Sequence, residues 1–327
     1  MRPAAGLVAL GVLWASAVCA DEASVVMPTA LAARVDTDRQ TGVAVGIEGL
    51  PDGALVTLSQ AVRALRGEPA YPLRDVRMCD DPGALEVPSG FAVPAELAAA
   101  AQALHGAVAV VERVVVFVTQ RVRLDENDAG PQDGSSVLRR GRGRCSGRAN
   151  IAIGLLRRLG IPARAVHGLL LGDDDARWHR WGEAWLGALG WVPFDPGASV
   201  GIVSVRYLPL RGSGEGSPLA GVRVERLDDR GYQGVPLRNG LHVLPLHGVT
   251  LRCVAPTGQA GLTAALVGPD GSRWVRRGRK EVVFEGILPG RYRIVWGSNR
   301  QPDVLDLGLG ATPEVLVELG ARGEAGS

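Results

Sequence analysis

The spacing of apolar residues changes period several times along the chain, and each change marks an element. Over residues 107–122, valines recur at Val108, Val111, Val114, Val115, Val118 and Val122, with Glu112, Arg113, Thr119 and Gln120 left for a polar face. The helical period and the length outweigh the β-branched content, so this stretch predicts a helix. Pro94-Ala95-Glu96-Leu97 and the alanine run behind it predict another helix just before, with proline early and an acid in the first turn. Residues 145–159 form a third helical pattern. Ala149, Ala152, Ile153, Leu156 and Leu159 make its inner stripe, Gly160 ends it and Pro162 prevents continuation. Residues 163–171, 178–186 and 191–194 then read as strands, turned by Asp173-Asp174-Asp175 and by Gly187-Ala188-Leu189-Gly190. Residues 125–144, rich in Gly, Asp and Arg, read as a loop. Helices followed by an antiparallel sheet give an α+β class for residues 94–210.

The flanks are patterned differently. In residues 21–93, apolar stretches at 43–47 and 54–58 are broken by Gly49-Leu50-Pro51-Asp52-Gly53, Pro69 and Pro72. They suggest a small β-rich lead-in. Residues 211–221 have the composition of a Gly/Ser linker. Across 222–320, short apolar runs at 241–246, 250–254, 262–267, 273–275, 282–285, 292–296 and 314–319 are separated by turn signals. They predict a small all-β sandwich, with 321–327 as a flexible tail.

Composition sharpens this picture in three ways. First, 327 residues with 46% hydrophobic content suit two or three domains with sizeable cores. Second, 36 Lys and Arg against 34 Asp and Glu give a formal charge of +2. That provides no global drive toward nucleic acid or anionic lipid. Third, the first twenty residues read as a signal peptide: Arg2, an apolar run over 7–18, and small residues Val18-Cys19-Ala20 before a cut at Asp21. A periplasmic or secreted protein is expected, with an N-terminal membrane anchor as the alternative and lipidation at Cys19 disfavoured. No later segment is apolar enough to span a membrane, and there is no Asn-x-Ser/Thr sequon. Cleavage leaves Cys79, Cys145 and Cys253. Cys79 paired with Cys253 would leave Cys145 reduced; two free structural thiols are the equal alternative.

Three short stretches carry chemistry. In Gly143-Arg144-Cys145-Ser146-Gly147-Arg148-Ala149, the cysteine stands at a helix start, where the dipole favours thiolate and free N–H groups can hold an oxyanion. Arg144 and Arg148 add positive charge. In Trp178-His179-Arg180-Trp181-Gly182-Glu183-Ala184-Trp185, strand alternation puts His179, Trp181, Glu183 and Trp185 on one face. In Trp191-Val192-Pro193-Phe194-Asp195-Pro196-Gly197, an acid sits at a strand end, where it can fix the tautomer of a base. Each alone has a bland reading: a packed thiol, a core histidine, a turn-forming acid.

Their order removes much of that ambiguity. Val137-Leu138-Arg139-Arg140-Gly141-Arg142-Gly143-Arg144-Cys145, then Leu159-Gly160-Ile161-Pro162-Ala163-Arg164, then His179 with Trp181 and Glu183, then Trp191 and Phe194-Asp195-Pro196 resemble the transglutaminase-like superfamily over residues 94–200. The resemblance implies a papain/transglutaminase-like core with Cys145 as nucleophile, His179 as base and Asp195 as the third member. The local sequence around Cys145 does not match papain-like enzymes. Phe284-Glu285-Gly286-Ile287-Leu288-Pro289-Gly290-Arg291-Tyr292 gives the C-terminal sandwich a resemblance to prealbumin-like, carboxypeptidase-regulatory accessory domains.

The expected chemistry is a Cys145 thioester formed from a peptide or amide bond, with hydrolysis favoured over acyl transfer. The backbone N–H of Cys145 and a second, unassigned donor would hold the oxyanion. The alternative is a binding or assembly module of the cell envelope that keeps the fold without turnover. A protein or peptide substrate is the expected partner, and no cofactor or metal is expected. Asp173-Asp174-Asp175 reads as a solvated turn rather than a calcium site, and Arg139 to Arg144 as a surface loop rather than an anion grip. His167 reads as structural, and His242 and His247 lack partners at metal-ligand spacing.

Overall fold

The structure is a computed structural model, and it describes residues 21–37, 43–60, 67–87, 91–212, 218–233, 235, 237–244, 248–255, 261–268, 273–287, 290–298, 301–309 and 314–320. The expected signal peptide, residues 213–217 of the Gly/Ser linker, the tail and His247 lie outside the described residues.

The chain opens with β1 (Glu22–Met27), a single helical turn α1 (Thr29–Ala32) and the hairpin β2 (Val43–Leu50) and β3 (Gly53–Gln60). Helices α2 (Ala95–Gln102) and α3 (Ala107–Arg121) follow, then β4 (Arg123–Leu124), α4 (Gly134–Arg140), β5 (Arg142–Gly143) and α5 (Cys145–Arg158). Next come β6 (Ala163–Leu171), β7 (Ala176–Trp185), β8 (Trp191–Asp195), β9 (Ser199–Val200) and β10 (Tyr207–Leu210). After these stand β11 (Arg223–Asp228), α6 (Arg230–Gln233), β12 (Leu237–Arg238) and β13 (Leu241–Val243). The last seven strands are β14 (Val249–Val254), β15 (Leu262–Val267), β16 (Arg273–Gly278), β17 (Glu281–Ile287), β18 (Gly290–Ser298), β19 (Gln301–Leu309) and β20 (Glu314–Glu318).

The centre is a seven-stranded sheet in the order β10-β6-β7-β8-β9-β13-β12. One core joins it to the helices: Val110, Val114 and Val118 of α3 and Ile151, Ala152 and Leu155 of α5 pack with Ala184, Val192 and Phe194 of the sheet. A second core joins it to the sheet β11-β1-β3-β2 through Val25, Val56 and Leu58 against Val166, Trp181 and Leu208. The N-terminal strands are therefore a wall behind the central sheet.

Sequence signals explain the helix ends. Gly160 has φ 77°, Gly160 N–H bonds Arg157 C=O and Ile161 N–H bonds Leu156 C=O, which closes α5 with a Schellman motif. Ile161 is fully buried, so the glycine turn is anchored hydrophobically. Helix α4 was expected as loop. Asp133 caps its start, accepting from Ser136 N–H at 2.9 Å, and Gly141 at φ 66° closes it. Its seven residues are too few for a period to register in the sequence.

Three expectations change near the C-terminus. Segments 223–228 and 241–243 were grouped with the sandwich, but β11 pairs with β1 and β13 runs parallel to β9. Glu112, expected on a polar helix face, is buried: it accepts bonds from Arg238 Nε at 2.7 Å and Asn239 Nδ2 at 2.9 Å, so the β12–β13 turn is fastened to α3. Strand β19 was not anticipated; it pairs along its whole length with β18. The sandwich itself consists of the sheets β17-β14-β20 and β16-β15-β18-β19. Leu251 and Phe284 of one pack against Leu266 and Ile294 of the other. The Cys79–Cys253 pairing does not form. Both thiols are free, and Cys253 is sealed in the sandwich core, where burial pushes its pKa up to about 11.

Candidate active site

Cys145 is the first residue of α5, so its backbone N–H has no acceptor inside the helix. Schellman closure and the Phe91-lined core fix the far end of α5, and the loop before it fixes the near end. Arg144 N–H donates to Gln132 Oε1 at 2.8 Å, while Gln132 Nε2 donates to Gly130 C=O at 2.8 Å and to Asp128 Oδ2 at 3.0 Å. Asp128 is held low, to about 2, by hydrogen bonds from Arg140 and Gln132, against the opposing effect of burial. The loop is also tied to the sheet: Asn150 Nδ2 donates to Gln132 C=O at 2.8 Å, and Arg180 Nη1 donates to Asn150 Oδ1 at 3.0 Å. Gln132 is a residue that sequence reading missed, because an isolated glutamine in a loop carries no pattern.

His179 stands on β7 and Asp195 at the end of β8, and these strands pair antiparallel with Phe194 opposite Gly182. His179 Nε2 meets Asp195 Oδ2 at 2.8 Å. Cys145 lies within hydrogen-bond reach of the same ring. The fold therefore brings together all three residues singled out from the sequence. Burial acts to lower the pKa of His179, but the Asp195 carboxylate and the Cys145 sulfur outweigh it and raise it to about 10. The imidazolium form is favoured through neutral pH.

A fourth group joins them. Tyr207, the first residue of β10, donates from Oη to Asp195 Oδ2 at 2.6 Å and is itself buried. Its own pKa is raised well above the usual value, first by burial and then by the adjacent carboxylate. Asp195 thus accepts two bonds on one oxygen, and the tyrosine fixes its rotamer. Trp181 packs against both, with ring centroids 6.2 Å from His179 and 5.3 Å from Tyr207, and the His179 and Tyr207 rings meet edge-on at 5.5 Å. Tyr207 follows Asp195 by twelve residues with no recognisable motif, so it was not legible.

The surrounding basic residues are largely structural. Arg148, expected to add charge beside the thiol, is buried and donates to Val122 C=O at 2.9 Å and Thr119 C=O at 3.4 Å, capping the end of α3. Arg140 bonds Asp128 at 2.7 Å, and Arg139 bonds Ser136 Oγ at 3.3 Å. Arg164 pairs with buried Glu183 at 2.8 Å and lies 3.9 Å from the centre of the Trp191 ring. Asp173 pairs with Arg206 at 3.1 Å. His167 Nδ1 faces Arg180 Nη2 at 3.4 Å, and His242 packs against Tyr232.

Residues 95–196, which include Cys145, His179 and Asp195, match the family model of the transglutaminase-like superfamily. Among solved structures the chain is similar to a candidate cysteine protease from Cytophaga hutchinsonii, at 15% identity over 63% of this chain and 81% of that one, with a TM-score of 0.35. It is also similar to red sea bream transglutaminase, at 10% identity over 89% of this chain and 78% of that one, with a TM-score of 0.29. A third structure, described as a TGase, is 13% identical over 47% of this chain and 44% of its own length, with a TM-score of 0.25. No curated protein matches the chain. Residues 95–196 are a transglutaminase-like domain within an α+β protein.

Proposed function

On the premise of that domain, we propose that the protein is a cysteine-dependent enzyme that opens peptide or amide bonds through a thioester on Cys145. One observation carries the reading: His179 is held by Asp195 at 2.8 Å, and Cys145 lies within hydrogen-bond reach of the same ring. A core histidine without such a task needs neither a buried carboxylate nor a thiol at a helix start.

In the proposed reaction the Cys145 thiolate attacks the carbonyl carbon, and the carbonyl electrons move to oxygen. The oxyanion forms beside the free N–H of Cys145. His179 gives its proton to the leaving amine as the C–N bond breaks, and the acyl group remains on sulfur. Neutral His179 then takes a proton from the attacking water, and collapse of the second intermediate releases a carboxylic acid and restores the thiolate. Asp195 keeps the ring oriented through both halves and stabilises its charged form whenever it holds the proton, and Tyr207 keeps Asp195 in place.

Hydrolysis is favoured over transfer to an amine, as suits a protein exported by the segment 1–20 and cleaved before Asp21, in a dilute extracellular or periplasmic setting. The test is to incubate the mature protein with a pool of glutamine-rich peptides, with and without hydroxylamine, and follow products by mass spectrometry. Hydroxamates that appear with hydroxylamine, acids without it, and neither with Cys145→Ala support the reading. Peptides unchanged in every condition, with every peptide class tried, count against turnover and favour the binding module. N-terminal sequencing of the exported protein tests cleavage before Asp21.

A further inference from the structure

The C-terminal sandwich carries a feature that the chemistry at Cys145 does not use. Strand β16 is the terminal strand of its sheet, bonded on one side to β15. Its free side presents backbone N–H and C=O groups, the usual invitation to strand addition. Arg273, Trp274, Val275, Arg276 and Arg277 are all exposed. In register, Trp274 and Arg276 stand opposite Leu266 and Ala264, so Arg273, Val275 and Arg277 point to the other face. Cations therefore project from both faces of one open edge, and Arg279 and Lys280 continue the charge.

These five cations have no acidic partner among the described residues. Glu281, the acid that directly follows Lys280 in sequence, is committed to Arg252 at 3.0 Å, and Arg252 also takes Glu314 at 3.3 Å. Arg276 donates to the carbonyl of Val275 at 3.2 Å. The whole chain carries only +2, so without these five cations the remainder stands at −3, and the edge is a local concentration of positive charge. Its apolar members are also exposed, Trp274 by 37% and Val275 by 46%.

We propose that β16 is a docking strand for an extended acidic polypeptide segment, which adds to the open edge by backbone pairing while its carboxylates meet the arginines. A flat anionic surface would use the charges on one face only. An added strand uses the free backbone groups, the arginines on both faces and the apolar contacts of Trp274 and Val275 together. The proposal is independent of the catalytic reading, and Cys145→Ala binds such a segment as the wild type does.

The full chain is titrated by fluorescence anisotropy at low salt with a synthetic peptide that alternates glutamate and valine. Two controls replace glutamate with lysine or methylate alternate backbone amides. The glutamate peptide binds, both controls bind at least about tenfold more weakly, and added salt weakens binding. The exposed triple change Arg273→Ser, Arg276→Ser and Arg277→Ser lowers affinity by about tenfold or more with an unchanged melting curve. Should that variant not fold, the methylated peptide on wild-type protein still decides. Equal binding of the methylated peptide, or binding to phosphatidylglycerol vesicles but not to the peptide, overturns strand addition. No binding at all, with the triple variant self-associating in sedimentation, also overturns it and leaves the arginines as a guard against edge-to-edge pairing of copies.

Discussion

The two halves of the molecule bury different things. In the central body, Glu112, Asp128, Arg148, Glu183 and Asp195 are buried, and each has a hydrogen-bond partner. In the sandwich, the core includes Leu251, Cys253, Leu266, Phe284 and Ile294, and among the described residues no buried charged side chain belongs to it. Burying a charge costs several kcal/mol before pairing offsets it, so apolar packing is the cheaper route to stability. The sandwich takes that route and keeps its charge on an edge. The body does not: apart from Glu112, which ties α3 to the β12–β13 turn, its buried charges lie at the start of α5 and on the β7–β8 pair. A protein that only needed to fold would have little reason for the difference.

Substitutions can break or sharpen that contrast. The largest effect is expected from Asp195→Asn, which leaves the shape intact but removes the charge that orients His179; turnover falls by roughly 10²–10⁴-fold, read as kcat on a responsive peptide with circular dichroism unchanged. Stability should separate the halves next. Phe284→Ala, at a fully buried sandwich position, costs about 3–5 kcal/mol by chemical denaturation and leaves catalysis alone. Glu183→Ala strands Arg164 without its partner and costs about 3 kcal/mol. Gln132→Ala loosens the residue before the nucleophile and lowers kcat by about tenfold, with KM and melting temperature little changed. The smallest effect is a pH dependence whose sign is fixed. His179 binds its proton more tightly in the folded protein, its pKa raised from 6.5 to about 10. Its contribution to stability is therefore complete below pH ~6.5 and is lost as pH rises through ~10. The stability gap between wild type and His179→Gln should narrow across that window in urea titrations.

Legibility followed the same division. Helix α5, the strands after it and the places of Cys145 at a helix start, His179 on β7 and Asp195 at the end of β8 were readable because each is signalled by neighbours a few residues away: Gly160 and Pro162 for the helix end, tryptophans and an Asp-Pro-Gly turn for the strands. Tyr207 and Gln132 were invisible because their importance lies in single hydrogen bonds across the fold. Glu112 was misread because helix spacing cannot foresee that a distant turn, at Arg238 and Asn239, covers a polar position. Strand β11 was assigned to the wrong neighbours because its partner β1 lies about two hundred residues earlier in the chain and pairing over that distance leaves no local trace.

The most direct test of the central claim is the rate at which iodoacetamide alkylates Cys145 in native protein, with and without His179→Ala, resolved by peptide mapping. A thiol paired with an imidazole owes its reactivity to that partner. The account predicts that Cys145 reacts far faster than Cys79, that buried Cys253 is protected, and that His179→Ala slows Cys145 sharply while leaving Cys79 unchanged. A Cys145 that reacts at the pace of Cys79 and is indifferent to the histidine contradicts the pairing, and the enzyme reading with it.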